Sequence, residues 1–308
     1  MSEPTDIRDV PHTEPAYAIE TRALTRRFGK KTVVDHLTLR VPRGSIFAFL
    51  GRNGAGKTTT IRLLLDLLDR TSGAASLLGL DCVTGAREIR RRTGYVAQDE
   101  GLYDWMTVER MIWFCRGFYP TWDDALAADL RRQLDLPGSQ RIRALSRGKQ
   151  AQLALLLAMA FHPELLILDE PTAGLDVVVR REFLEGVIEL AQEEGRTIFF
   201  SSHLVHEVER VADWVGIMEE GRLLSCAPLE EVKAGVRRIV CTFPASPPPP
   251  ALPGLLHTEV EGKTLLCTVR DFGEATLAAA RALHPATLAV EDLSLEDIFV
   301  ALVGKGAV

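Results

Sequence analysis

The chain predicts an α/β fold: a buried, mostly parallel sheet wrapped by helices, carrying a helical insertion and a small α+β extension at its C-terminal end. Three observations predict it. A glycine-rich loop joins a short apolar run to an amphipathic stretch at Gly51–Thr58. Apolar runs alternate with helical patterns from about Ala18 to Lys233, the signature of βαβ units. A proline-dense segment then sets a short tail apart.

Taken in order, residues 1–17 are polar, acidic and proline-containing, and read as a disordered tail without a secretory signal pattern. One α/β domain is expected over 18–235. Its strands are placed at Ala16–Leu24, Ser45–Leu50, Thr93–Val96, Leu165–Leu168, Thr197–Ser201 and Trp214–Glu219. The stretch Thr107–Phe161 is mostly helical and long for a plain crossover, which predicts a helical subdomain over about 100–161. Six prolines between Phe243 and Pro253 exclude a helix or central strand there, so 236–253 reads as a proline-rich linker. The extension over 254–308 predicts a hairpin at His257–Val269, a helix at Gly273–Leu283, a strand at Thr287–Glu291 and a last helix over Ser294–Val303, with Ser294 as N-cap.

The loop Gly51-Arg52-Asn53-Gly54-Ala55-Gly56-Lys57-Thr58 carries the chemistry. Glycines let several backbone N–H groups converge on anionic oxygens, and the following helix adds the positive end of its dipole. In this pattern Lys57 reaches the β- and γ-phosphates of a nucleotide and the Thr58 hydroxyl meets Mg²⁺. The loop residues expected around the phosphates are Gly51, Asn53, Gly54, Ala55, Gly56, Lys57, Thr58 and Thr59. A second apolar strand ends in Asp169-Glu170-Pro171. Asp169 then stands beside the loop as a ligand for the Mg²⁺ shell, and Glu170 can polarise an attacking water.

Composition narrows the class. The chain has 308 residues, a net charge of −6 and 46% hydrophobic residues, ordinary for a water-soluble protein and without an electrostatic footprint for nucleic acid. The basic run Arg87–Arg92 reads as a solvated helix face. Five scattered cysteines without a C-x-x-C pair suit a reducing compartment and offer no zinc site. No apolar run is long enough to span a bilayer, so any membrane role needs another polypeptide to supply the span.

These motifs and their order resemble the ATP-binding subunits of ABC transporters over about residues 18–230. On that resemblance the fold is a P-loop NTPase of the ABC type. Gln98, in Gly94-Tyr95-Val96-Ala97-Gln98-Asp99, resembles the glutamine that touches Mg²⁺ and the membrane partner. Leu145-Ser146-Arg147-Gly148-Lys149-Gln150 resembles the family signature, and Ala173-Gly174-Leu175-Asp176 its D-loop. His203 resembles the switch histidine. Phe28 sits where the family stacks an aromatic on adenine.

The resemblance implies ATP and Mg²⁺ as cofactors, with Glu170, His203 and Lys57 as the catalytic set. It implies a head-to-tail dimer with a second ATP-binding subunit, in which Ser146, Gly148 and Asp176 meet the nucleotide held by the other copy. A separate transmembrane permease would hold the chain at the cytoplasmic face of the membrane. The tail resembles that of drug-exporter subunits, which implies export. Arg147 and Lys149 depart from the usual Gly and Gln and add positive charge to the signature, and Val177 replaces the usual proline.

Aromatic and methionine residues crowd Gly101–Phe118: Tyr103, Trp105, Met106, Met111, Trp113, Phe114 and Phe118. Most of them are expected in the core, and the surplus is expected to face the permease. Three rivals carry less. A translation factor of this class resembles two fused ATP-binding domains, a chromosome ATPase separates loop and signature by long coiled coils, and a non-hydrolysing sensor would not need Glu170 and His203.

Overall fold

The computed structural model describes residues 16–98, 101–192 and 195–304. The expected tail therefore lies outside the described residues as far as position 15, and Tyr17 already opens the first strand.

The chain begins with β1 (Tyr17–Phe28), β2 (Lys31–Leu37), β3 (Arg40–Pro42) and β4 (Ile46–Gly51), and the loop leads into α1 (Lys57–Leu64). Next come β5 (Ser72–Leu77), β6 (Leu80–Asp81), α2 (Ala86–Arg92) and β7 (Thr93–Val96). A helical run follows: α3 (Val108–Arg116), α4 (Asp124–Gln133), a 3₁₀ turn at Ile142–Ala144 and α5 (Arg147–Met159). The chain returns through β8 (Leu165–Asp169), α6 (Val177–Gln192), β9 (Thr197–Ser202), α7 (Val205–Val208), β10 (Trp214–Glu219), β11 (Arg222–Pro228) and α8 (Leu229–Gly235). It closes with β12 (Arg237–Thr242), β13 (Leu255–Glu261), β14 (Thr264–Val269), α9 (Glu274–Arg281), β15 (Thr287–Asp292) and α10 (Leu295–Val303).

Among the described residues these strands form three sheets. The main one has the order β11-β10-β4-β9-β8-β7, parallel except for the β10–β11 hairpin. All residues of β4, β8 and β9 are buried, as continuous apolar runs covered on both faces must be. Alternation along β4 sends Phe47 and Phe49 to one side, and Ala48 and Leu50 to the other. On the first side Phe47 stacks on Phe199, ring centroids 5.5 Å apart, beneath the antiparallel sheet β2-β1-β5-β6 with β3 beside β1. Each such buried ring contributes roughly 1.5–3 kcal/mol. On the second side α5 lies buried along most of its length through Leu153, Leu155, Leu156 and Leu157, and carries the helical subdomain.

Two expectations change. The linker expected over 236–253 begins with a strand, because β12 pairs with both β14 and β15 inside the sheet β13-β14-β12-β15. The proline segment is thus a loop within that small unit; its Leu252 packs into the unit's core with Ile239 and Leu265. The aromatic crowd also lies mostly outside the core. Met111 is buried, but Tyr103, Trp105, Trp113 and Phe118 are exposed; Tyr103 meets the rings of Trp105 and Phe114, and Phe114 meets that of Phe118.

Burial pushes the thiols up, Cys82 to about 12, Cys115 and Cys267 to about 11, and Cys226 and Cys241 upward as well. No reactive thiolate is then available at neutral pH. The native chain at pH 8 is expected to react with an aromatic disulfide reagent at less than a tenth of the rate seen in denaturant. Fast labelling of even one thiol contradicts this.

Candidate active site

The parallel strands β4, β8 and β9 all end on one side, and the site is built from those ends. The loop after β4 is held from behind by the turn of the β10–β11 hairpin, where the Gly221 amide donates to the Ala55 carbonyl at 2.9 Å. Two glycines are forced by this packing. A Cβ at Gly51 would lie 2.5 Å from the Met218 carbonyl oxygen, and Gly56, at φ 111°, would place one 2.7 Å from that of Val33. Gly56 is also the N-cap of α1, and no side chain caps that end, so its first-turn N–H groups remain disposed toward an anion.

Lys57 is buried and runs back through the loop. Its Nζ donates to the Gly51 carbonyl at 2.7 Å and lies 3.0 Å from Glu170 Oε1. The other oxygen, Glu170 Oε2, lies 2.7 Å from Nδ1 of His203, which is about one-third exposed. Lys57, Glu170 and His203 therefore form one string from the phosphate loop to the surface. Glu170 sits at φ 49°, a left-handed position that costs a non-glycine residue about 1 kcal/mol or more and that recurs at functional sites.

Asp169 anchors a second string. Its Oδ1 accepts from Thr58 Oγ1 at 3.1 Å and from Ser201 Oγ at 2.7 Å, and the same Ser201 Oγ accepts the Glu170 amide at 2.9 Å. Asp169 Oδ2 is buried with no hydrogen-bond partner. Burial raises its pKa, against the lowering effect of the Ser201 and Thr58 hydrogen bonds. A hydroxyl beside a carboxylate with an oxygen to spare is a donor set for a hard cation such as Mg²⁺. Among the described residues no group of three or more His, Cys, Asp or Glu side chains could hold a metal by itself. That fits an ion whose remaining ligands come from phosphates and water.

A cavity of about 400 Å³ opens over this floor, lined by Asn53, Gly54, Gly56, Lys57, Thr58, Thr59, Gln98 and Glu170. A second of about 560 Å³ continues past Ala55 to His203. Phe28 closes neither; its ring is half exposed at the end of β1, with the Arg26 guanidinium 4.4 Å from its centroid. Ser146, Gly148 and Asp176 lie outside both cavities and beside one another. Ser146 caps α5, a Cβ on Gly148 would sit 2.9 Å from Val179, and Asp176 accepts the Val179 amide at 3.0 Å.

The added charge of the signature is only half realised. Lys149 turns away to the end of α4, donating to the carbonyls of Leu134 and Asp135 at 2.6 and 3.1 Å. Arg147 remains exposed and lies over Gly174, where a Cβ would approach its Nη1 to 3.0 Å. Sequence reasoning missed Ser201 as part of the site. The signal was its place in β9, directly opposite Asp169.

Fold and site together define a nucleotide-hydrolysing subunit whose signature residues line neither of the cavities at its phosphate loop. Residues 34–173 match the family described as ABC transporter. The chain is 33% identical to the bacitracin transport ATP-binding protein BcrA of Bacillus licheniformis, over 94% of its length and 98% of the relative's. It is 34% identical to the Nod factor export ATP-binding protein I of Burkholderia lata, over 94% and 98%. A solved ATP-binding subunit of an ABC transporter superposes with a TM-score of 0.64 at 26% identity, covering 70% of this chain and 92% of that one. The chain belongs to the ATP-binding subunits of ABC transporters, which bind and hydrolyse ATP to drive transport.

Because the folded pKa of Asp169 lies above its ordinary 3.8, the native state binds that proton more tightly than the unfolded chain does. Its contribution to stability is therefore lost as pH rises through the raised value, and the ionised carboxylate weakens the nucleotide-free protein at neutral pH. Asp169→Asn is expected to raise the melting temperature by about 2–4 °C at pH 8, with the gap narrowing as pH falls toward the raised pKa. Calorimetry across that range decides it; a lower melting temperature, or a gap independent of pH, contradicts the burial argument.

Proposed function

We propose that the chain powers export through a separate transmembrane permease, closing head-to-tail on a second ATP-binding subunit each time two ATP molecules are bound. The observation that carries this is the Lys57–Glu170–His203 string lying beside Asp169 and Thr58 at the strand ends.

Lys57 and the loop amides from Gly51 to Thr59 bind the phosphates, and Phe28 stacks on adenine. Thr58 and Asp169, with Gln98, hold Mg²⁺, which supplies charge neutralisation on the phosphate oxygens when bound. In the nucleotide-free chain Glu170 is paired with Lys57. A phosphate that draws the ammonium away frees the carboxylate to accept a proton from water at Oε1, while His203 holds Oε2 from the other side. This reading makes Glu170 the general base and His203 its orienting partner.

The dimer follows from what one chain leaves unfinished. Ser146, Gly148 and Asp176 are grouped together yet stand apart from the phosphate cavity, so they serve the nucleotide of the opposite copy. Arg147 is the one added cation of the signature still pointing outward to meet it. The exposed rings of Tyr103, Trp105, Trp113 and Phe118, which follow Gln98 in the chain, support an apolar seat for the permease and with it a position at the cytoplasmic face of the membrane. No helix among the described residues is long and apolar enough to cross a membrane, which agrees with a span supplied by another polypeptide. A relative named for Nod factor export favours outward movement of the cargo.

Glu170→Gln is expected to lower ATP turnover by about 10²–10⁴-fold while ATP binding persists, and to trap the dimer in ATP. Turnover within tenfold of the parent removes Glu170 from the base role. In native cells, the tagged Glu170→Gln chain with ATP should recover a polytopic membrane protein, whereas ribosomes in its place point to a soluble ATPase. Trp105→Ala or Tyr103→Ala should lose that partner and keep ATP binding; loss of ATP binding contradicts the seat.

A further inference from the structure

Away from the phosphate loop, two segments that follow catalytic strands are fastened to each other. Arg180, in the first turns of α6, has a side chain only 18% exposed and uses both arms of its guanidinium. Nη1 donates to Glu207 Oε1 at 3.1 Å, and Nη2 donates to the Leu175 carbonyl at 2.9 Å. Glu207 lies on α7, four residues beyond His203, and is 10% exposed. Its second oxygen accepts from Thr172 Oγ1 at 3.4 Å. Thr172 and Leu175 belong to the turn that presents Asp176, closed by the Leu175 amide on the Thr172 carbonyl.

The opposite side of α7 is fixed as well. Val205 and Val208 share a core with Leu295 and Ile298 of α10, and Lys233 pairs with Glu209 at 2.9 Å. A displacement of the Asp176 turn is thus carried through the Arg180–Glu207 link to α7 and the segment that begins at His203. Neither Arg180 nor Glu207 lines a phosphate cavity.

We propose that Arg180 and Glu207 are positioning residues for ATP hydrolysis, clamping the turn that carries Asp176 to the segment that carries His203 so that the two move as one. This rests on the roles read above for Asp176 and His203. The planar fork is essential, since a lysine ammonium at position 180 could meet one acceptor but not both in this geometry. Closure of the second subunit on Asp176 then holds His203 where it already meets Glu170 Oε2 at 2.7 Å, and ATP binding in the phosphate loop is left untouched.

The test is the ATP dependence of turnover by the purified full chain, with melting temperatures measured alongside. Arg180→Gln and Glu207→Gln are each expected to lower kcat about tenfold with KM within about twofold of the parent. The double variant should be no slower than the worse single, because both residues act as one unit. Arg180→Lys, which keeps the charge and protects folding, should still lose about fivefold. Singles with parental kcat, additive losses in the double, or a kcat loss accounted for by the unfolded fraction overturn the proposal. Glu170→Gln runs beside them. If it abolishes turnover while the Arg180 variants stay parental, only the clamp falls; if it too leaves turnover intact, the site reading itself fails.

Discussion

The structure depends first on one carboxylate oxygen. Asp169 Oδ1 takes hydrogen bonds from Thr58 at the start of α1 and from Ser201 on β9, and so fastens three segments at the level where chemistry is done. Ser201 in turn takes the Glu170 amide, which fixes the residue held at positive φ. The two bonds at Ser201 are buried, the kind whose loss is expensive in a low-dielectric interior, while the longer Thr58 bond is part-buried. What they leave over is the second Asp169 oxygen, buried and unpartnered. An orphaned carboxylate oxygen is costly in a buried site, and it agrees with the cation proposed to sit there.

The loop before Thr58 is shaped by packing from the outside. Met218 and Gly221 of the β10–β11 hairpin press on Gly51, Gly56 and Ala55, while Val33 of β2 limits Gly56 from the other side. The antiparallel sheet and the hairpin line the cavities with Lys31, Val33, Glu219 and Glu220, and they also act on the loop itself. Their contribution is the backbone curvature that turns amides toward an anion.

Legibility in the sequence followed from how local each signal is. The phosphate loop, Asp169-Glu170 and His203 are contiguous or follow buried strands, and the apolar runs of β4, β8 and β9 could only be interior strands. The antiparallel sheet was mostly illegible beyond β1. β5 reads Ser72-Gly73-Ala74-Ala75-Ser76-Leu77, with no β-branched residue and a glycine whose Cβ would strike the Ala23 carbonyl at 2.3 Å. β12 was hidden by the prolines that follow it, although Ile239 and Cys241 alternate inward as a strand requires. The outward aromatics near Trp105 look like core by composition alone, because hydrophobicity carries no direction. Arg180 and Glu207 lie far apart in the chain and belong to no motif, so only tertiary contact joins them.

The C-terminal extension reaches into this arrangement through its last helix. Ser294 caps α10 by accepting the Asp297 amide at 3.1 Å, and the capped helix lays Leu295 and Ile298 into the core that also holds Val205, Val208 and Ala212. Its first amide even reaches Glu209. Two cores therefore divide the extension: Ile239, Cys267 and their neighbours close its sheet beneath α9, while α10 joins the main body. A four-residue helix such as α7 has almost no stability of its own. It is held by what packs on both sides, and the segment beginning at His203 inherits its position from that packing.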